Sequence, residues 1–224
     1  EVIAKDARVV DAHQLLGNLL FEQFRYAEAI EVFQTALSMR PEDAGLVLHL
    51  TKSLMHAGQM DAAEVLLLDF TDVLEPDARF YINLGQIKQS KGSYDEAATY
   101  FNEALRLSEG SLADMPGLLR SAPMPANNLM GAAHLGLGAV HLAAGRLSLA
   151  EEHLNLARGF NDSLADLHFN RALVFQAGGQ PNEAIVAYRR ELENTPGNVD
   201  AAFKLGVIYR DRGNLVEEER YLRM

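Results

Sequence analysis

Two positions in this chain recur in a single phase, and that phase restricts the fold more than any other feature. Small residues stand at Gly17, Thr51, Gly85, Gly138, Ala172 and Gly206, with steps of 34, 34, 53, 34 and 34 residues. A second series, Ala29, Ala63, Ala97, Ala150, Ala184 and finally Glu218, keeps the same steps. Two independent sites holding one phase over six copies describe a supersecondary unit repeated along the chain, each copy burying its apolar face against the next. The long step is one repeat plus 19 inserted residues.

The unit is read most clearly between Val10 and Asp43, as His13-x-x-Leu16-Gly17-x-x-Leu20, then Tyr26-x-x-Ala29, Phe33-x-x-Ala36 and Pro41. Large apolar residues flank the small ones: Leu16, Leu50, Leu84, Leu137 and Leu205 in a first segment, Phe33, Leu67, Phe101, Leu154, Tyr188 and Leu222 in a second. Spacings of three, four and seven put them on one helical stripe. Each copy is therefore expected to be two short antiparallel helices, with Gly17 facing Ala29 where the pair crosses closely. Gly58, Gly92, Gly145, Gly179 and Gly213 fall where first helices end and a left-handed residue is needed. Pro41 and Pro196 stop second helices.

These residues resemble the tetratricopeptide repeat, a helix–turn–helix array with a 34-residue period. The resemblance covers residues 10–111 as repeats one to three and 131–224 as repeats four to six, the last incomplete. It departs at Thr51 and Ala172, which replace the usual Gly, at Phe24, which replaces the turn Gly, and in copies two to four, which lack the closing Pro in phase. The fold it implies is all-α, a right-handed α-solenoid. Residues 1–9 are expected to be the end of a preceding repeat, with Asp6-Ala7 standing where Arg40-Pro41 closes the next copy, so the chain reads as part of something longer. Residues 112–130, with Pro116, Gly117, Pro123 and Pro125, read as an inserted surface loop holding a short helix near Leu118–Arg120; a hinge or binding loop is the other reading.

In such arrays the first helices line a concave groove. By this resemblance the groove carries Gln14, Asn18, Lys52 and Arg79 in the first half, and Leu135, Leu142, Phe169, Leu173, Phe203 and Val207 in the second. An apolar peptide or helix is the expected ligand of the second half, with hydrogen bonds and a cationic anchor supplied by the first. The alternatives are that neighbouring first helices bury these side chains together, or that a further segment of the chain fills the groove. The clamp of Lys and Asn residues with which some family members hold C-terminal carboxylates is incomplete. Asn18 and Arg79 match, but Gln14 and Asn83 stand where cations are required, and in the later copies only Asn170 and Lys204 match.

Charge narrows the partners. The chain has 20 Lys+Arg against 31 Asp+Glu, a formal net charge of −11, which repels phosphate backbones and anionic membrane surfaces alike. No apolar run approaches the roughly 20 residues that cross a bilayer, and residues 1–11 lack the apolar centre of a signal peptide. Absence of Cys excludes disulfides and thiolate metal sites, without assigning a compartment.

Catalytic chemistry finds no foothold: no Ser/His/Asp set, acid–base carboxylate pair or His-Glu-x-x-His motif is recognisable, and no cofactor is implied. Of seven His, His13, His134 and His168 share a repeat position, and the pairs His49/His56 and His134/His141 are seven apart. A metal needs three or four converging ligands, and no Asp or Glu is placed to join them, so no metal site is expected. Gly136-Leu137-Gly138 resembles part of a phosphate loop but lies mid-helix with no preceding strand. Asn161-Asp162-Ser163 fits a glycosylation sequon at a turn. Copy five carries Arg171 and Glu191 at two normally apolar sites, which predicts a salt bridge between its helices or two stems that reach solvent separately.

Two functions compete. One is a protein–protein interaction scaffold that binds a peptide or partner protein, with self-association through the ends as a further possibility. The other is the non-catalytic region of a larger enzyme, serving substrate positioning or oligomerisation. The block from His168-Phe169-Asn170 to Tyr188-Arg189-Arg190-Glu191-Leu192-Glu193, with Pro196 and Ala202-Phe203-Lys204-Leu205-Gly206, is similar in phrasing to repeat tails of bacterial sulfatase-like enzymes.

Overall fold

The computed structural model describes residues 2–71, 78–113 and 124–224. Among these residues the chain forms twelve α-helices and no strand. They are α1 (Val2–Glu22), α2 (Tyr26–Met39), α3 (Ala44–His56), α4 (Met60–Thr71), α5 (Ala78–Ser90), α6 (Tyr94–Ala113), α7 (Met124–Ala143), α8 (Leu147–Phe160), α9 (Leu167–Ala177), α10 (Pro181–Asn194), α11 (Val199–Asp211) and α12 (Leu215–Leu222). The six expected pairs are all present, and the fold class is the one read from the period.

Two compact units divide the chain, residues 1–92 with α1–α5 and residues 93–224 with α6–α12. In the first, each helix packs on the next, and the first helices α1, α3 and α5 lie side by side. Phe33, Leu46, Val47, Leu67, Leu84 and Ile87 form its interior, each at most 1 % exposed. In the second unit the same neighbour packing runs from α6 to α12, with α7 beside α9. Phe101, Leu137, Leu154, Leu167, Tyr188 and Leu205 are its largest apolar core residues.

Local sequence sets the ends. Asp43, Asn198 and Asn214 accept hydrogen bonds from the backbone N–H of Leu46, Ala201 and Glu217 at 3.1, 3.0 and 3.2 Å, satisfying donors that a helix start leaves free. The turn glycines adopt φ between +72° and +78°. Phe24 takes the same conformation, φ +60°, at the site where the other copies use Gly. α2 ends one residue before Arg40-Pro41 and α10 ends at Asn194, just ahead of Pro196.

Two expectations are refined. α1 is continuous from Val2 to Glu22, so residues 2–9 lie in one helix with residues 10–22 and no turn separates them. Asp6-Ala7 contains neither Gly nor Pro, and nothing there stops a helix. The 112–130 stretch is not wholly a loop: α6 runs to Ala113 and α7 starts at Met124, with Pro125 in the first turn, where no intrahelical N–H is required. Leu118–Arg120 lies outside the described residues. α6 packs on α7, where Gly136 leaves room for the Phe101 ring, and the boundary between the two compact units falls at Gly92–Ser93.

The small residues also have a different partner from the expected one. A Cβ on Gly17 would lie 2.6 Å from the Phe33 ring, and one on Gly138 2.6 Å from Leu154 Cγ. The glycines admit the large residue one turn beyond the small one, while Ala29 and Ala150 are fully buried beside it.

Candidate interaction surface

In the first unit, α1 carries Gln14 and Asn18, both half-buried, while Lys52 on α3 and Arg79 on α5 are exposed. Asn18 and Lys52 meet across a cleft of about 290 Å³ lined by Asn18, Phe21, Glu22, Phe33, His49 and Lys52. Gln14 and Arg79 are not among its lining residues. The His49 ring lies flat on Phe33, centroids 5.4 Å apart and planes within 10°. Burial is the main cause that lowers the His49 pKa; the Lys52 ammonium adds to it, Arg79 contributes in the same sense, and Asp43 opposes. The cleft thus offers aromatic walls, an amide, one cation beside a histidine kept neutral, and the Glu22 carboxylate.

Phe21 also belongs to a ring cluster that the periodic reading passed over. It meets Tyr26 and His56 edge-on at 5.3 and 5.1 Å, and Tyr26 stacks on His56 at 5.1 Å. Phe24, 78 % exposed, adds an edge contact to Tyr26. The signal available in the sequence was the aromatic at the turn-glycine position.

In the second unit the apolar candidates divide. Leu135 and Leu142 of α7 pack against the core around Leu154, Leu167 and Val174, and Phe169 and Leu173 of α9 against the core around Tyr188 and Leu205. All four are half-buried, as is Val207 on α11. Phe203 stands 54 % exposed.

Copy five does not hold the expected ion pair. Glu191 on α10 is fully buried and turns to the amino end of α9, where its oxygens accept from the N–H of Asp166 at 3.0 Å and of Phe169 at 3.1 Å. Arg171 lies over the Phe175 ring, 5.5 Å from its centroid. Asp166 is in the left-handed region at φ +63° and makes no side-chain cap. Glu191 therefore supplies the capping carboxylate from the neighbouring helix.

Helices α7 and α8 share a column of rings. Phe160 stacks on His134 at 5.7 Å, His134 on His153 at 5.3 Å, and His153 on His141 at 5.3 Å. His134 and His153 also face each other Nδ1 to Nδ1 at 3.0 Å. Burial is the chief cause lowering the pKa of all three, that of His134 to about 4. His153 was missed because it sits on the helix facing the His134/His141 pair. Among the described residues no group of three or more His, Asp or Glu is placed to hold a metal, and no helix is long and apolar enough to cross a membrane.

Family models of the tetratricopeptide repeat match residues 20–77, 78–110 and 169–224, together more than half of the chain. Among curated proteins, the mouse (Mus musculus) protein O-mannosyl-transferase TMTC1 is 28 % identical over 111 residues, which are 47 % of this chain and 12 % of that protein. Among solved structures, the type IV pilus biogenesis factor PilW superposes with a TM-score of 0.70 at 18 % identity, covering 95 % of this chain and 90 % of that one. Pseudomonas aeruginosa PilF gives 0.68 at 16 % identity, with 97 % and 90 % covered. YrrB, described as a repeat protein with an unusual peptide-binding site, gives 0.50 at 23 % identity, with 87 % and 90 % covered. At these identities the solved structures establish the fold.

Proposed function

The chain belongs to the tetratricopeptide repeat family, and from that premise we propose that it is a protein–protein interaction scaffold whose first-helix face holds an extended peptide or partner segment. The observation that carries this reading is the cleft between α1 and α3, where Asn18 and Lys52 stand over the walls of Phe21 and Phe33. An asparagine amide pairs with a peptide backbone through donor and acceptor at once. Lys52 adds a charge that steers and orients an acidic segment, and the half-buried Phe21 ring offers area for an apolar side chain, with the buried Phe33 backing the cleft. In the second unit Phe203 on α11 is the exposed apolar contact, with Val207 one turn on; Leu135, Leu142, Phe169 and Leu173 are half-buried against their own cores and contribute only their exposed parts. Gln14 and Arg79 flank the cleft on α1 and α5. No catalytic role is assigned to any residue.

The test is selection of peptides from a displayed random library on the intact chain, followed by affinity measurement against Asn18→Ala, Lys52→Glu and Phe203→Asp. Removal of a central contact costs about 1–2 kcal/mol, or roughly tenfold in Kd. Peptides bound equally well by all three variants would overturn the assignment.

A second reading is favoured by one observation, the match to a stretch of an O-mannosyl-transferase that is far longer than this chain. On it the repeats form the non-catalytic region of a larger enzyme and position a substrate or a partner subunit. The curated match points to a transferase of this kind, and the sulfatase-like parent expected from repeat phrasing gains no support from it. The sequence of the full gene distinguishes the two readings.

A further inference from the structure

The column Phe160–His134–His153–His141 is an interleaved contact between two antiparallel helices. His134 and His141 are seven residues apart on α7, and His153 and Phe160 are seven apart on α8. Seven residues is two turns, so each helix presents a ring at every second turn, and the rings of one enter the gaps of the other. His153 is thereby held between His134 and His141.

Such a stack depends on its protons. Nδ1 of His134 and Nδ1 of His153 lie 3.0 Å apart, so one must donate and the other accept. Neutral imidazole meets that requirement. A second proton places two N–H groups face to face and sets positive rings in contact, with Phe160 covering one end. Nδ1 of His141 is buried without a hydrogen-bond partner, so nothing near it accepts a proton's charge either.

The charged surroundings offer little relief. On α8, Glu152 favours the charged form of His153. At the α7–α8 turn Arg146 opposes protonation of His141, with Asp95 of α6 lying 3.8 Å from that guanidinium. Phe101 of α6 and Gly136 of α7 make an apolar contact in the same interface. From α9 no charge acts on the three rings; its Arg171 responds to Arg158, Asp162 and Glu151 instead.

We propose that this ring column is a proton-operated latch, which closes α7 against α8 while the imidazoles are neutral and releases the pair when a second proton enters the His134–His153 contact. α7 also carries Leu135 and Leu142, so release loosens the face on which the second unit displays its apolar residues. The inference stands on the stack and does not depend on peptide binding.

Hydrogen exchange on the intact chain tests it, at about pH 7.5 and about pH 5 with intrinsic rates corrected, because imidazole changes charge across that interval. Helices α11 and α12 contain no His and serve as the internal reference. Protection of α7–α8 is expected to fall at least about tenfold more than protection of α11–α12, and His153→Phe, which keeps a ring in the stack, is expected to abolish the difference. Equal loss in both segments, or full pH sensitivity in the variant, overturns the latch. Histidine C2-proton titrations of the unaltered protein give a readout free of variant folding. His134 and His153 are expected to gain charge only as the Phe160 ring contact disappears. Titration near the ordinary value of about 6.5 with that contact intact would equally overturn it.

Discussion

Glu191 on α10 accepts a hydrogen bond at 3.1 Å from the backbone N–H of Phe169 on α9, so the start of one helix is completed by a side chain of the next. Its other oxygen takes the N–H of Asp166 at 3.0 Å and lies 3.3 Å from Nδ2 of Asn198. Buried donors deprived of a charged acceptor cost more than the bond itself contributes. Glu191→Ala is expected to destabilise the second unit by about 3 kcal/mol, measured by denaturant titration. Arg171→Leu, which leaves the cap untouched, is expected to change stability by less than about 1 kcal/mol. A larger loss from Arg171→Leu than from Glu191→Ala would restore the ion-pair reading.

Phe24 holds φ +60° with its ring 78 % exposed. A side chain in the left-handed region costs about 1–2 kcal/mol, which glycine does not incur. Phe24→Gly removes that strain and one edge contact with Tyr26, so a net gain of about 0.5–1 kcal/mol is expected in thermal or denaturant melts. If Phe24 is part of the displayed surface, the same variant loses ligand affinity while gaining stability, a split that strain alone does not produce.

One substitution made at two glycines should have opposite signs. A Cβ on Gly138 would meet Leu154 Cγ at 2.6 Å and the Ala150 carbonyl oxygen at 3.3 Å. Leu154 is fully buried and would have to shift its side chain to make room, so Gly138→Ala is expected to cost about 2 kcal/mol. Gly159 sits inside α8 with nothing within 4 Å of the corresponding Cβ. There Gly159→Ala is expected to stabilise by about 0.5–1 kcal/mol through helix propensity.

Acid should act in two windows. Burial is the first cause lowering the pKa of His49, His134, His141, His153 and His168. A histidine with a depressed folded value binds its proton more readily when unfolded. Its contribution is complete above about pH 6.5 and declines as pH falls from there towards the folded value. Glu64 is depressed by hydrogen bonds from Lys91 and Lys88, so its contribution is present above its ordinary value of 4.5 and is lost as pH falls through the lower folded one. Melting temperature is therefore expected to decline first between about pH 6.5 and 4. Lys91→Met is expected to reduce the decline at lower pH and leave the histidine window unchanged.

The periodic residues disclosed most of the helix pairs because each site answers to one local requirement: room at Gly17, a left-handed turn at Gly58, a stop at Pro41. Where the deciding contact crossed between helices, the linear reading failed. Glu191 and Arg171 looked like a pair because both are charged, whereas the carboxylate answers backbone donors that no sequence displays. His153 escaped because spacing arguments follow one helix at a time. The repeat phase set a boundary after residue 9, where the helix runs on without a break because no residue there interrupts it. Of the side chains chosen by register, Leu135 and Leu173 are half-buried by their neighbours in the second unit, while Asn18 and Lys52 are brought to one cleft in the first.

The turn residues Gly58, Gly92, Gly145, Gly179 and Gly213 share φ near +75°, and a Cβ added to any of them would touch nothing within 4 Å. Crowding is thus not what reserves these sites for glycine; chirality is. A D-alanine, whose preferred backbone angles are the mirror image of those of its L-counterpart, would adopt this positive φ without the torsional penalty and limit the freedom of the unfolded chain. Five turns of the array are therefore candidates for rigidification by chemical synthesis, at positions where the φ penalises L-amino acids and achiral glycine escapes the penalty.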